Sequence, residues 1–210
     1  EAIETDSRSL SSSSVFVALK GERFDGHDYV RKAFETGAVA ALVSHEAFNR
    51  NPDWKELGTL LCCDDPLRAY GDLAAAWRRE RALPVVAITG SNGKTSLKEL
   101  VSAGLGTRGE VHKTPGNFNN LIGTPKTLLD WRGDEWSAVV EVGMNEPGEL
   151  DRLGEIVAPN VAVINNVSAA HLELLKTIEG VAKAKGELFG RLPDNGIAVY
   201  NFDDLMVRTV

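Results

Sequence analysis

The sequence predicts an α/β fold in two parts: a small N-terminal α/β domain, then a phosphate-loop-type domain built on a parallel sheet. Three observations carry this. Short apolar runs alternate with stretches of helical periodicity along the 210 residues. One of those runs leads straight into a glycine-rich turn and a helix, in "VVAITGSNGKTSLKEL" (Val85–Leu100). That run is continuously apolar rather than alternating, the pattern of a strand buried on both faces.

In the first part, "VFVAL" (Val15–Leu19) is a short strand-like run. "HDYVRKAFETG" sets Tyr29, Val30, Ala33 and Phe34 at helical spacing, with Gly37 as a stop. "AVAALVS" (Ala38–Ser44) is again strand-like. "DPLRAYGDLAAAWRRER" places Leu67, Tyr70, Ala74 and Trp77 on one helical face, with basic residues in its last turn. These elements form a domain over residues 1–82, and "ALP" (Ala82–Pro84) is the joint.

The second part, residues 83–210, starts with "VVAIT". After the glycine turn, Leu97, Leu100, Val101 and Leu105 form a helical stripe. "SAVVEVG" (Ser137–Gly143), "NVAVINN" (Asn160–Asn166) and "GIAVYN" (Gly196–Asn201) read as further core strands, with helices at "PGELDRLGEIV" and "TIEGVAKAKGELFGRL" between them. Such βαβ units wind a parallel sheet that binds ligands at the carboxyl ends of its strands. The chain stops just after a strand, at "NFDDLMVRTV", so this domain is expected to be incomplete.

Bulk properties narrow the function. A net charge of −7 argues against nucleic-acid binding, which draws on a basic field. No apolar run approaches the roughly 20 residues of a membrane span. The start does not read as a signal peptide, and the first residue is not Met. Cys62 and Cys63 are adjacent, so on a strand they point to opposite faces and do not bridge. The unbridged cysteines fit a reducing cytoplasm, and a monomer is the expectation for oligomeric state.

The glycine turn poses a spacing problem. The general phosphate-loop signature needs a glycine five places before Gly93, and the chain has Ile88 there. An ordinary strand-to-helix turn also uses glycines, but the strand–loop–helix context favours phosphate binding by loop amides and the helix N-terminus. Lys94 then neutralises phosphate charge and the Thr95 hydroxyl ligates Mg²⁺. Glu141 ends an otherwise apolar strand, where a carboxylate needs either an ion pair or a metal. His171, in the loop after "VINNVSAAHLE", gains weight only because strand ends converge in space. Lys185 interrupts the apolar face of Ile178, Val181, Ala182, Leu188, Phe189 and Leu192, whereas Lys183 points away. Either Lys185 snorkels to the surface, or it is a partly neutral amine open to chemistry or modification.

Together these features resemble the Mur ligase family, ATP-dependent enzymes that build the peptide stem of peptidoglycan. "TGSNGKTS" is similar to the family's shortened loop, Thr-Gly-[ST]-x-Gly-Lys-[ST], and "EVG", "AAHLE" and "AKGE" follow in the family's order. "TPGNFNNLIGTPKTLL", "EVGMNEPGEL" and "AHLELLKTIEGVAKAKGELF" are most similar to the branch that adds D-Ala-D-Ala to UDP-N-acetylmuramoyl-tripeptide. "TDSR", "VFVALKGERFDGHDYV" and "GAVAALV" resemble the uridine-nucleotide domain that this branch shares with the amino-acid-adding enzyme one step earlier, and the resemblance implies that the second part is a parallel-sheet ATPase domain.

The resemblance implies the following roles. Gly90, Ser91, Asn92, Gly93, Lys94, Thr95 and Ser96 hold the ATP phosphates. Thr95, Glu141, His171 and Lys185 serve Mg²⁺, the lysine as a carbamate formed when carbon dioxide adds to its neutral amine. Lys94, Glu141, His171 and Lys185 are the catalytic set. Asn201 and Asp203 contact adenine and ribose, and Asn119 and Asn120 line the substrate side near the γ-phosphate. Ser7, Arg8, Lys20, Asp25 and His27 contact the uridine nucleotide; without the resemblance, "DSR" is a turn and "DGH" a helix entry. The resemblance implies a C-terminal domain that these 210 residues are not expected to include, so the chain alone is expected to have little or no ligase activity. Two other readings stand beside this one: the preceding Mur ligase, which adds a single amino acid, and a nucleotide-binding module without chemistry.

Overall fold

A computed structural model describes residues 2–169 and 172–210. The chain divides into two compact units, Glu1–Leu73 and Ala74–Val210. The first holds a four-stranded parallel sheet in the order β1 (Ile3–Glu4), β2 (Val15–Val17), β3 (Ala40–Ser44), β4 (Thr59–Cys63). Helices α1 (Val30–Thr36) and α2 (His45–Arg50) belong to it, and the division falls inside α3 (Pro66–Glu80). Gly37, at φ +117°, ends α1 in the left-handed conformation that glycine adopts without strain. Phe16, Val30, Ala33, Ala41, Val43 and Trp54 form the core of this unit. Cys62 and Cys63 are free thiols on β4.

The second unit contains β5 (Val85–Thr89), α4 (Lys94–Gly106), β6 (Val111–Lys113), α5 (Gly123–Leu129), β7 (Ser137–Glu141), α6 (Glu149–Val157), β8 (Val161–Ile164), α7 (Leu172–Leu175), α8 (Ile178–Gly186) and β9 (Ile197–Tyr200). Its five strands are all parallel, in the order β6-β7-β5-β8-β9. The chain leaves β5 for one side of the sheet and later returns to the other. That makes the carboxyl end of central β5 a topological switch point, where open α/β sheets bind ligands. Among the described residues, no helix is long and apolar enough to cross a membrane.

Four expectations need correction. Leu100 is 71% exposed, and the inward face of α4 carries Lys98 and Ser102. Two residues on from Lys98 lies about 200° around the helix, so burying one turns the other out. On α3 the buried stripe is Tyr70, Ala74, Ala75 and Arg78; Trp77 is exposed and lies under the Arg81 guanidinium, 4.3 Å from the ring centroid. Tyr29 is likewise exposed, closing a 3₁₀ turn (Gly26–Tyr29) that precedes α1. β9 is an edge strand exposed throughout, not a core strand. The two-residue β1 and the three-residue β6 are too short to show a pattern, and tertiary pairing alone defines them.

Arg78 is one of the basic residues in the last turn of α3, where it could complement the dipole of its own helix. Instead it caps another: Nε donates to Val157 O (2.9 Å) and Nη2 to Ala158 O (3.1 Å), the orphan carbonyls at the end of α6. Its Nη1 donates to Arg81 O at 2.5 Å. Replacing Arg78 with Met strands these buried acceptors. Urea unfolding is expected to show a loss of about 1–3 kcal/mol, against no change for Arg79→Met on the exposed face.

Candidate functional site

The glycine turn lies where β5 ends. Gly93 caps α4 at φ +73°, and a Cβ there would stand 3.1 Å from Asn165 Nδ2. The loop rests on the segment after β8. Ser91 N donates to Asn166 O (3.0 Å) and Asn92 N to Asn166 Oδ1 (2.9 Å), while Asn165 Nδ2 and Asn166 Nδ2 each donate to Asn92 O (2.9 Å). Lys94 Nζ reaches back over the loop to Gly90 O at 2.8 Å. The first-turn amides from Gly93 to Ser96 have no intrahelical acceptor, and a helix end of this kind favours an anion. Thr89 Oγ1, buried just before the loop, has no hydrogen-bond partner among the described residues.

Register brings the acid to the loop. Ile88 pairs with Glu141 across β5 and β7, so the Glu141 carboxylate ends its strand level with the start of the turn. It is 1% exposed. Thr95 Oγ1 donates to Oε2 at 2.9 Å and Asn119 Nδ2 to Oε1 at 2.8 Å. Both donors are neutral, and among the described residues no cation pairs with this carboxylate. The ion-pair explanation for Glu141 therefore has no partner in view. A hydroxyl and a carboxylate together form a hard oxygen donor set of the kind Mg²⁺ prefers. Among the described residues there is no group of three His, Cys, Asp or Glu side chains that could hold a metal. His171 lies outside the described residues.

Lys185 sits on α8, 2% exposed, while Lys183 is exposed on the other side. Burial, reinforced by the charge of Lys94, lowers its ammonium to a pKa of about 8. Two residues on, the Glu187 carboxylate accepts from Gly148 N (3.0 Å) and Asp151 N (3.2 Å), tying α8 to the first turn of α6. Glu187 was not anticipated, since an acid near a helix end reads as solvated surface.

The remaining candidates divide. Asn119 belongs to the Glu141 cluster, whereas Asn120 Oδ1 accepts from Ile122 N and Gly123 N in the turn that leads into α5. Asn201 and Asp203 lie exposed in the turn after β9, where Asp203 N donates to Asn201 Oδ1 at 3.1 Å. Their neighbour Asp204, not anticipated, accepts from Val167 N (2.8 Å), Met206 N and Val207 N. Burial pushes its carboxyl up, but these amides outweigh that and hold it below the usual range.

In the N-terminal unit, Ser7 and Arg8 line a cavity of about 440 Å³ with Phe16, Phe24, Gly26 and Tyr29. Arg8 is exposed and grips Asp6 bidentately, Nε donating to Oδ1 and Nη2 to Oδ2. Asp25 and His27 line a different, polar cavity of about 510 Å³ beside Arg31 and Trp54. His27 is committed at both ring nitrogens: Nδ1 lies 2.6 Å from Asp25 Oδ1, and Nε2 accepts from Ser44 N at 3.0 Å. Lys20 bridges Asp25 through the backbone, and its charge helps to lower the Asp25 carboxyl. Gly26 has a packing reason, because a Cβ there would fall 2.7 Å from the Leu19 backbone.

Residues 88–210 match the Mur ligase middle domain, and residues 1–78 match the Mur ligase family catalytic domain. The chain belongs to the Mur ligase family. Within it, the chain is similar to UDP-N-acetylmuramoyl-tripeptide–D-alanyl-D-alanine ligases. It is 41% identical over 206 residues to that of Bacillus subtilis (strain 168) and 46% identical over 204 residues to that of Escherichia coli (strain K12). These alignments take in 98% and 97% of this chain but 44% of each relative, so the chain spans less than half their length. Among solved structures, MurF from Acinetobacter baumannii superposes with a TM-score of 0.88 at 37% identity, over 97% of this chain and 44% of that one. MurF ligase from Thermotoga maritima in complex with ADP gives 0.88 at 34% identity, over 99% and 47%.

An ordinary lysine titrates at 10.5, and Lys185 in the fold at about 8, so between those values the unfolded chain holds the extra proton. Its penalty on folding is therefore complete below pH 8 and fades as pH rises to 10.5. In carbonate-free buffer, Lys185→Met should stabilise the chain by about 1–4 kcal/mol at pH 7. Thermal unfolding should show that gain shrinking toward pH 10.

Proposed function

We propose that the chain forms the uridine-nucleotide-binding and ATP-binding parts, residues 1–82 and 83–210, of a cytoplasmic ligase that joins D-Ala-D-Ala to UDP-N-acetylmuramoyl-tripeptide. The observation that carries this is the convergence of the glycine loop, Lys94, Thr95, Asn119 and Glu141 at the switch point of one sheet. Relatives of that name, similar over nearly the whole chain, support the choice of substrates.

The chemistry runs in two transfers. A carboxylate oxygen of the tripeptide attacks the γ-phosphorus of ATP, and the bond to ADP breaks, giving an acyl phosphate. The amine of D-Ala-D-Ala then attacks the acyl carbon, loses a proton and expels phosphate as the amide forms. Loop amides and the Lys94 ammonium orient the phosphates and offset their charge, the main protein contribution to phosphoryl transfer. Thr95 and Glu141, with His171 by resemblance, hold Mg²⁺, which when bound neutralises charge on the phosphates. In the N-terminal unit, the cavity beside Ser7 and Arg8, whose lining includes Phe24 and Tyr29, takes the uridine nucleotide.

Lys185 serves as a carbamate. With its pKa near 8, roughly a tenth of the amine is neutral at pH 7, against fewer than about one in a thousand for an ordinary lysine. Adding carbon dioxide to that amine releases a proton and turns a buried cation into an anion beside Lys94.

Two measurements check this. Lys94→Ala removes charge-assisted hydrogen bonds worth about 1.5–3 kcal/mol, so calorimetry should show ADP affinity falling about 10- to 100-fold. Unchanged affinity would take Lys94 out of the site. In ¹³C-bicarbonate, wild type should show a carbamate resonance that Lys185→Met lacks, and a signal common to both would assign the modification elsewhere.

A further inference from the structure

Lys94 and Lys98 lie one turn apart on α4 and have different destinations. Lys94 returns to the glycine loop. Lys98 is 1% exposed, and its Nζ donates to Thr114 O at 2.7 Å and Gly116 O at 3.1 Å, with Glu99 Oε1 3.2 Å away. A buried ammonium is unfavourable unless its protons are used, and these three acceptors match its three donors.

Both carbonyls belong to the segment between β6 and α5, and that segment reaches Glu141 by two routes. Thr114 Oγ1 accepts from Glu141 N at 2.9 Å, and Asn119 Nδ2 donates to Glu141 Oε1 at 2.8 Å. Asn119 is itself fixed, since its carbonyl accepts from Gly143 N at 2.7 Å. Glu141 Oε2 accepts from Thr95, on the same helix as Lys98. The contacts close a ring: α4 to the Thr114–Asn119 segment through Lys98, the segment to Glu141, and Glu141 back to α4 through Thr95.

We propose that Lys98 is a positioning residue that clamps this segment to the phosphate-loop helix, so that the Glu141 carboxylate is held in line with Thr95 and the divalent-cation affinity of the nucleotide site is set. The proposal rests on the reading of Glu141 as the Mg²⁺-side carboxylate. Lys98 acts through the segment and bonds to neither Glu141 nor the loop. A purely fold-stabilising lysine makes a different forecast, because its loss weakens nucleotide binding to the same degree with or without the cation.

The test compares ADP binding to the 210-residue chain in EDTA and in Mg²⁺, for wild type and Lys98→Met, with a ¹H–¹⁵N spectrum of each. Wild type should bind ADP more tightly in Mg²⁺. Lys98→Met should keep its affinity in EDTA, lose about 10-fold in Mg²⁺ affinity, as when an outer-shell partner is removed, and shift the Asn119 side-chain amide pair. A folded Lys98→Met that keeps wild-type Mg²⁺ dependence overturns the proposal, as does one that loses affinity equally in both buffers. Should Lys98→Met not fold, Lys98→Gln, which retains donors for one carbonyl, decides by the same criterion. A wild type whose ADP affinity ignores Mg²⁺ overturns the reading of Glu141 and this proposal with it. A Mg²⁺-dependent wild type beside an equally Mg²⁺-dependent variant overturns the role of Lys98 alone.

Discussion

The Glu141 carboxylate, buried at the carboxyl end of β7, is held by two neutral donors and, among the described residues, by no cation. Desolvating a charge in this way is unfavourable by several kcal/mol unless something compensates it. Hydrogen bonds from Thr95 and Asn119 recover part of that, and they also fix where the oxygens point. Each donor comes from a different connection, α4 on one side and the segment after β6 on the other. The carboxylate thus ties together the elements that a phosphate group would meet.

The same region concentrates positive charge. Lys94 lies over the glycine loop, and Lys185 on α8 is buried close enough to feel it. A polyphosphate with its metal carries charge of both signs, and a site prepared for it must bring unlike and like charges together before the ligand arrives. Under the proposed function, the free chain is then least comfortable where a nucleotide would bind, which is what preorganised electrostatics requires. Glu187, two residues beyond Lys185, ties α8 to the first turn of α6 and limits how far the lysine's helix can move.

Much of this was legible in the sequence. The β5–loop–α4 unit showed because a continuous apolar run met glycines and then Lys-Thr. Glu141 and Lys185 showed because each breaks an apolar pattern, and the structure buries both. Lys98 did not show. Set between Leu97 and Glu99, it reads as an exposed charge, and Leu100 reads as core; the seating of α4 against β6 and β7 reverses both. Arg78 was hidden for the same reason, since its acceptors lie some 80 residues away in sequence. In the N-terminal unit, "DGH" divides: Gly26 faces the cavity of Ser7 and Arg8, while Asp25 and His27 face another. No periodicity tells which way three consecutive turn residues point.

A crystal structure of the chain with ADP and Mn²⁺, read by its anomalous signal, tests the central claim most directly. A single strong peak is expected within coordination distance of Thr95 Oγ1, bonded also to a phosphate oxygen, with the Glu141 carboxylate reaching it directly or through one water. A nucleotide bound on the glycine loop with the metal elsewhere, and the Thr95–Glu141 hydrogen bond intact, would contradict it.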